Sequence, residues 1–165
     1  MNVPSKIVIV VAFLAALFGA GLTLAEGAAK VPEVTAEDGT IEFFDKDNKS
    51  KCVIPFVTGA YGFTNESTNK CPNDNIYFFK LHHVPSAATI LMTDDANCGR
   101  DQENFDFLFR TIKRETVTDF VSISNTITFE DKAVIVPGLR LEKKRYKNGA
   151  QIDGKLSCVQ IVRSL

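Results

Sequence analysis

A strand-like segment followed by an acidic turn occurs twice in the chain. The two copies are Ile41–Asn48 and Ile90–Asn97. Each begins with apolar residues of the kind found in strands, continues to an Asp, and has an Asn three positions after that Asp. The repetition predicts two copies of one β-unit, starting near residues 41 and 90, within a single β domain that spans residues 40–165.

Strand and turn patterns fill this region, and no window holds a sustained helical period. The clearest strand is Phe105–Phe109, whose three Phe side chains share one face. Further strands are predicted at Thr40–Asp45, Lys51–Val57, Ile76–Val84, Ala87–Thr93, Phe120–Ile123, Thr126–Phe129, Ala133–Val136, Leu139–Tyr146 and Leu156–Val162. The chain is therefore predicted to be all-β.

Two regions of the predicted domain, the C-terminal strands and a long polar stretch, allow more specific predictions. Leu139–Tyr146 and Leu156–Val162 are predicted to form an additional C-terminal β-hairpin, because Asn148-Gly149 and Asp153-Gly154 between them are dipeptides preferred in hairpin turns. Gly59–Asp74 is rich in Gly, Asn, Thr and Ser and is predicted to be a long loop. A loop of that length in a compact domain is normally functional or tied down.

The N-terminus has the pattern of an export signal. Ile7–Leu24 contains no charged residue, and Thr23-Leu24-Ala25 has the small-residue spacing of a signal-peptidase site. We therefore predict a signal peptide at residues 1–25 and a flexible tail at 26–39, with no stable membrane span after cleavage. An uncleaved anchor is the alternative, since such a run is just long enough to cross a bilayer.

Export determines how the cysteines are interpreted. The four residues Cys52, Cys71, Cys98 and Cys158 are an even number, which favours two disulfides in an extracellular or periplasmic compartment. Three pairings are possible, and the sequence does not choose among them. The lack of a Cys-x-x-Cys pair argues against zinc.

Charge excludes one class of partner and points to one surface. The formal net charge of −1 argues against general nucleic-acid binding. The basic cluster comprises Arg140, Lys143, Lys144, Arg145 and Lys147. It is suited to an acidic protein, a sulfated glycan or an anionic membrane, and the alternative is an edge strand whose lysines prevent aggregation.

Catalytic constellations are not evident in the sequence. His82 and His83 are adjacent on a predicted strand, so their side chains point to opposite faces and cannot chelate one ion together. No nucleophile elbow or unpaired Cys is present. The acidic turn at residues 94–103 departs from the EF-hand pattern, which favours solvated carboxylates. Asn48 and Asn65 each begin a glycosylation sequon in a predicted loop.

Two short motifs follow the strand-and-turn units, at Asn73–Phe78 and Thr118–Ile123. They resemble the signature of the βγ-crystallin superfamily, which has two Asn or Asp residues, two variable residues, then Ser or Thr and Ser. The resemblance covers about residues 40–136 and implies a small disulfide-bonded Greek-key β-sandwich. It also implies a shared Ca²⁺ site with Asp74, Asp119 and Ser122 as ligands. The alternative is that these residues only form turns.

The leading hypothesis is a secreted, non-catalytic binding or inhibitory module that recognises a protein or a glycan through its loops. The long loop and the basic cluster are its predicted contact surfaces, and no cofactor is expected. The alternative is a crystallin-like structural domain stabilised by weak Ca²⁺ binding. A barrel around a small apolar ligand is a third hypothesis, and an enzyme is the least supported.

Overall fold

The computed structural model describes residues 38–63, 70–100 and 104–164. The strands are β1 Thr40–Phe44, β2 Ser50–Pro55, β3 Gly59–Gly62, β4 Phe78–His82, β5 Val84–Pro85, β6 Thr89–Thr93, β7 Phe105–Thr111, β8 Glu115–Thr116, β9 Val121–Ser122, β10 Val134–Val136, β11 Leu139–Tyr146 and β12 Cys158–Val162. A 3₁₀ helix spans Ser124–Thr128. The all-β prediction is confirmed. The predicted signal peptide and nearly all of the predicted tail lie outside the described residues.

The strands form two main antiparallel sheets. The first sheet has the order β2-β1-β4-β9, and the second has the order β10-β11-β7-β6-β12-β3. A separate two-stranded sheet pairs β5 with β8. The apolar core contains side chains from both main sheets, and the rings of Phe79 on β4 and Phe109 on β7 lie 5.8 Å apart within it.

Alternating apolar residues decide which faces enter the core. Phe105, Phe107 and Phe109 on β7 are all buried, as their spacing predicts. Leu139 and Leu141 on β11 are buried in the same way. Each fully buried side chain of this size stabilises the fold by about 1.5–3 kcal/mol relative to leaving it exposed.

The strand order of the first half of the chain recurs in the second half. β1 pairs with β2 on one side and with β4 on the other, and β6 pairs with β7 and β12 in the same way. The two sheets also exchange a strand between the halves, since β3 pairs with β12 and β9 pairs with β4. The second half adds β10 and β11 at the outer edge of β7.

The acidic turns also correspond, with a shift of one residue. The Asp45 carboxylate accepts hydrogen bonds from the backbone N–H of Asp47 and Lys49, and Asn48 has a φ of 58°. The Asp95 carboxylate accepts from the N–H of Asn97, and Cys98 has a φ of 58°. The second turn is therefore built on Asp95 rather than on Asp94, which follows β6 directly.

The predicted C-terminal hairpin is wrong. β11 pairs with β7 and β12 pairs with β6, so the two strands lie on opposite sides of the β6–β7 pair. The turns at Gly149 and Gly154 do form, with φ values of 76° and 73°. These turns carry the chain from one side of the β6–β7 pair to the other. β11 and β12 then pair with the outer edges of β7 and β6. The buried side chains on these two strands are Leu139, Leu141, Val159 and Ile161.

Three further boundaries differ from expectation. The predicted loop at residues 59–74 begins with strand β3. The predicted strand Thr126–Phe129 is largely 3₁₀ helix, in which Thr126 Oγ1 donates to the Ser122 carbonyl. Gly39, predicted to end the tail, belongs to the domain, because its carbonyl accepts a hydrogen bond from Phe56 N–H.

The disulfides join Cys52 to Cys71 and Cys98 to Cys158. The first ties β2 to the segment that precedes β4. The second ties the acidic turn after β6 to the start of β12. The prediction of two disulfides is confirmed, and the pairing that the sequence left open is consecutive.

Candidate functional site

A polar pocket of about 480 Å³ lies where the turns that precede β4 and β12 meet the turn after β6. Its lining consists of carboxylate, amide, hydroxyl and ammonium side chains with one Ala. The lining residues are Asn73, Asp74, Asp94, Asp95, Ala96, Asn97, Asn104, Lys155 and Ser157. This volume falls within the range of about 300–1,000 Å³ that is usual for ligand pockets.

Two turns that occupy matching positions in the two halves of the chain lie at this pocket. Asp74 stands four residues before β4 with a φ of 55°, and Gly154 stands four residues before β12 with a φ of 73°. The left-handed region suits Gly and is tolerated by Asp. The two turns therefore share a left-handed residue at the same position, and Asn73 and Lys155, which adjoin these residues, line the pocket.

Two of the pocket carboxylates are occupied by backbone donors. Asp94 accepts hydrogen bonds from the N–H groups of Asn104, at 2.8 Å, and Phe105, at 3.3 Å. Asp95 accepts from Asn97 N–H at 2.7 Å. These bonds fix the shape of the turn and hold both carboxylates on the pocket wall.

Lys155 and Asp74 form an ion pair across the pocket. Lys155 Nζ lies 3.1 Å from Asp74 Oδ2, and the Asp74 side chain is 47% exposed. An exposed pair of this kind contributes about 0–1 kcal/mol to stability. Its effect is mainly to place a positive charge among the carboxylates.

The pocket fits Ca²⁺ poorly. In the part of the chain that the structure describes, no three His, Cys, Asp or Glu side chains are grouped so as to hold one metal ion. The Lys155 ammonium also lies where it would repel a cation near Asp74. Calcium needs 6–8 oxygen ligands, so backbone carbonyls and water would have to supply most of them.

Of the three predicted calcium ligands, Asp74 lines the polar pocket. Ser122 lies on β9 and lines a different, mostly apolar pocket. Its hydroxyl is 3.2 Å from Ser124 Oγ and accepts from Asn125 N–H. Asp119 is exposed just before β9. In strand order, β9 corresponds to β3 of the first half. The segment of the second half that corresponds to Asn73–Phe78 is Asp153–Cys158, which was not predicted from the sequence.

Most side chains of the basic cluster are engaged within the protein. Arg140 bonds to Glu142, and Lys143 Nζ lies 2.7 Å from Asp131 Oδ2. Lys144 Nζ donates to the carbonyl oxygens of Ile127 and Phe129. Lys147 is exposed and makes no side-chain hydrogen bond or ion pair with another described residue. The cluster therefore offers a partner much less free charge than its composition indicates.

Arg145, the remaining member, faces a buried carboxylate that the sequence did not reveal. Asp106 on β7 is 1% exposed, and Arg145 Nε lies 2.7 Å from its Oδ2. Arg100 Nη2 lies 3.1 Å from its Oδ1. Asp106 and Arg145 are direct cross-strand partners, which explains the approach.

Among the residues that the structure describes, three carboxyl groups have pKa values below their ordinary range. The Lys143 ammonium and the backbone N–H of Lys144 lower the pKa of Asp131. A hydrogen bond from Lys132, with Arg140 beside it, lowers the pKa of Glu142. The N–H groups of Lys49 and Asp47 lower the pKa of Asp45. All three groups stay ionised at neutral pH.

The remaining candidates are separate from the polar pocket. His82 Nε2 is 3.0 Å from Glu42 Oε2, and His83, which follows β4 with a φ of 53°, contacts Glu115. Asn48 is exposed in its turn, whereas Asn65, Asp101 and Glu103 lie outside the described residues. None of the helices in the described part of the chain has the length and apolarity needed to cross a bilayer.

Comparisons with known proteins found no matching family model, no matching curated protein and no matching solved structure.

Proposed function

We propose that the chain is an exported, non-catalytic binding module that recognises a glycan through the polar pocket. The observation that carries this proposal is the lining of that pocket. The side-chain amides of Asn73, Asn97 and Asn104 make no hydrogen bond with another described residue. Each amide both donates and accepts, as sugar hydroxyls do.

The charges of the pocket support the same ligand class. Asp74 supplies acceptors, and Asp94 and Asp95 keep lone pairs that their backbone donors leave unused. Lys155 supplies a donor, so hydroxyl groups find both kinds of partner on one wall. The basic cluster supports a partner less well, because Arg140, Lys143, Lys144 and Arg145 are already bonded within the protein.

The test is binding to a glycan array, followed by calorimetry with the glycan that binds best. Asn73→Ala and Lys155→Ala should each lower the affinity at least tenfold, as loss of a central polar contact does. Lys155→Ala should leave the melting temperature nearly unchanged, because its ion pair is exposed.

Lys143→Ala is the matched control, since Lys143 is an exposed lysine outside the pocket. The proposal fails if no glycan binds, or if the pocket variants and the control bind equally well.

The second candidate is a crystallin-like structural domain of two Greek-key units stabilised by Ca²⁺. It is favoured by the recurring order in which β4 lies beside β1 and β12 lies beside β6, as a returning strand lies beside the first in a Greek key. The matching turns at Asp74 and Gly154 also support it. Lys155 in the second segment weakens the calcium part of this candidate.

Thermal unfolding in excess Ca²⁺ and then in chelator tests the second candidate. A ligand that binds only the folded state raises stability by about 2.7 kcal/mol at 100 times its Kd. Asp74→Ala should abolish that rise, and Asp119→Ala should abolish it if β9 contributes to the site. An unchanged melting temperature would show that Ca²⁺ does not stabilise the fold.

A further inference from the structure

Three Phe side chains cluster on the outer face of the first sheet. Phe44 on β1 and Phe78 on β4 are cross-strand partners, and their strand neighbours Phe43 and Phe79 point into the core. The ring of Phe120 lies 4.7 Å from that of Phe44 and 6.1 Å from that of Phe78. Phe44 is thereby buried although it faces away from the core, whereas Phe120 is 41% exposed.

Local hydrogen bonds hold Phe120 at this position. Thr118 N–H donates to the Leu81 carbonyl, and Leu81 N–H donates to Thr118 Oγ1. Ile123 N–H donates to the Tyr77 carbonyl. The segment therefore runs along β4 with Val121 and Ile123 turned inwards and Phe120 turned outwards.

Lys80 places a positive charge against this exposed ring. Its Nζ lies 4.0 Å from the centroid of Phe120. Across the described ranges, no carboxylate lies within ion-pair distance of Lys80. Glu42, which is its cross-strand partner, bonds to His82 instead. A cation beside an exposed aromatic ring, with no acid of its own, is suited to an acidic group on a partner.

Phe120 also lines an apolar groove of about 160 Å³ between β9 and β10. Val121, Phe129, Ile135 and Val136 supply its apolar wall. The volume is below the range of about 300–1,000 Å³ for small-molecule pockets, and is suited to a single apolar side chain of the kind that anchors a protein interface.

We propose that Phe120, Lys80 and this groove form a docking surface for a peptide segment in which a large apolar residue stands next to a carboxylate. The apolar side chain enters the groove against Phe120, and the carboxylate pairs with the Lys80 ammonium. Asp119 and Glu130 are exposed and near in sequence, and they repel the many charges of an anionic membrane more strongly than the single carboxylate of a peptide. This inference does not depend on the polar pocket.

The experiment is selection from a random peptide display library on the purified protein, followed by affinity measurement with the enriched peptides. We expect enrichment of Phe, Leu or Trp adjacent to Asp or Glu. Phe120→Ala and Lys80→Met should each weaken binding at least tenfold, and Phe120→Leu, which keeps an apolar contact with Phe44, should weaken it less.

Tyr146→Ala and Lys143→Met are matched controls, because they change an exposed aromatic and an exposed lysine elsewhere and should leave affinity unchanged. Enriched peptides without an acidic residue, or equal binding by all variants, would overturn the proposal. It would also be overturned if Phe120→Ala converted a dimer into a monomer, because the occupant would then be a second copy of this chain.

Discussion

Asp106 is a buried carboxylate on the outward-facing side of a strand. It is 1% exposed, and the guanidinium groups of Arg100 and Arg145 close over it. A buried charge is tolerated when it is paired, and it is costly when the partner is removed. Arg145 therefore acts as a structural residue, although its position in the sequence suggests a binding role.

Arg145→Ala should lower the free energy of unfolding by about 1–3 kcal/mol, because the Asp106 carboxylate keeps only Arg100 as its partner. Denaturant unfolding measures the change. Lys143→Ala, which removes an exposed pair, should change stability by no more than about 0.5 kcal/mol.

The double variant Asp106→Val, Arg145→Met sharpens this test. Replacing both members of a buried pair by apolar residues is often neutral, so the double variant should be more stable than Arg145→Ala alone. Equal loss in Arg145→Ala and Lys143→Ala would contradict the structural role.

At the scale of elements, the strands that could be predicted are those with apolar side chains at every second position, because this pattern alone indicates which face is buried. β7 and β11 are confirmed for this reason, since Phe105, Phe107 and Phe109, and then Leu139 and Leu141, mark one face each. β5 and β8 have two residues each and pair with one another, so their formation depends on a partner strand rather than on a local pattern. β9 is also short, but it falls within the predicted strand Phe120–Ile123.

Strand pairing was less predictable than strand position. The two Gly turns after Tyr146 favour a local hairpin, yet β11 and β12 pair with β7 and β6. In each case the partner is an apolar strand that is distant in sequence. The burial of Leu139 and Val159 in these pairings outweighs the local turn preference. A single sequence contains no direct signal for pairing between strands that are distant in the chain.

The two disulfides close loops of different length and should contribute unequally. Cys52 and Cys71 are 19 residues apart, and Cys98 and Cys158 are 60 apart. From chain entropy, removing the first should cost about 3 kcal/mol and removing the second about 4 kcal/mol.

Paired Cys→Ala variants compared by denaturant unfolding measure these costs, and each pair serves as the control for the other. A larger loss for the 52–71 pair would show that local strain or packing, rather than loop length, dominates.

At the scale of the whole molecule, the ionised carboxylates predict how stability depends on pH. The pKa values of Asp45, Asp131 and Glu142 are lower in the folded protein than in the unfolded chain. Their contribution to stability is therefore complete above the unfolded pKa of about 4 and is lost as the pH falls through the folded values.

We expect the melting temperature to fall progressively as the pH is lowered from 5 to 2. Asp131→Asn should melt lower than the unaltered protein at pH 5 and should lose less on acidification, because one of the titrating groups is gone. Parallel curves for the two proteins would contradict the assignment.

The candidate site was less predictable than the fold. Asp74 was identified from a short motif, but Asp95, Asn104 and Lys155 join it only because three turns distant in sequence converge. The basic cluster was visible as a run of charges, and Glu142, which pairs with Arg140, lies within that run. Asp131, by contrast, reaches Lys143 only because the fold brings its turn beside β11.

The consecutive pairing of the cysteines has a consequence for how the chain matures. In a chain threaded N-terminus first into an oxidising compartment, Cys52 and Cys71 arrive before the others and are already each other's native partners. Cys98 then has only Cys158 to wait for. Under that order of arrival, consecutive pairing needs none of the reshuffling of bonds that interleaved pairings require.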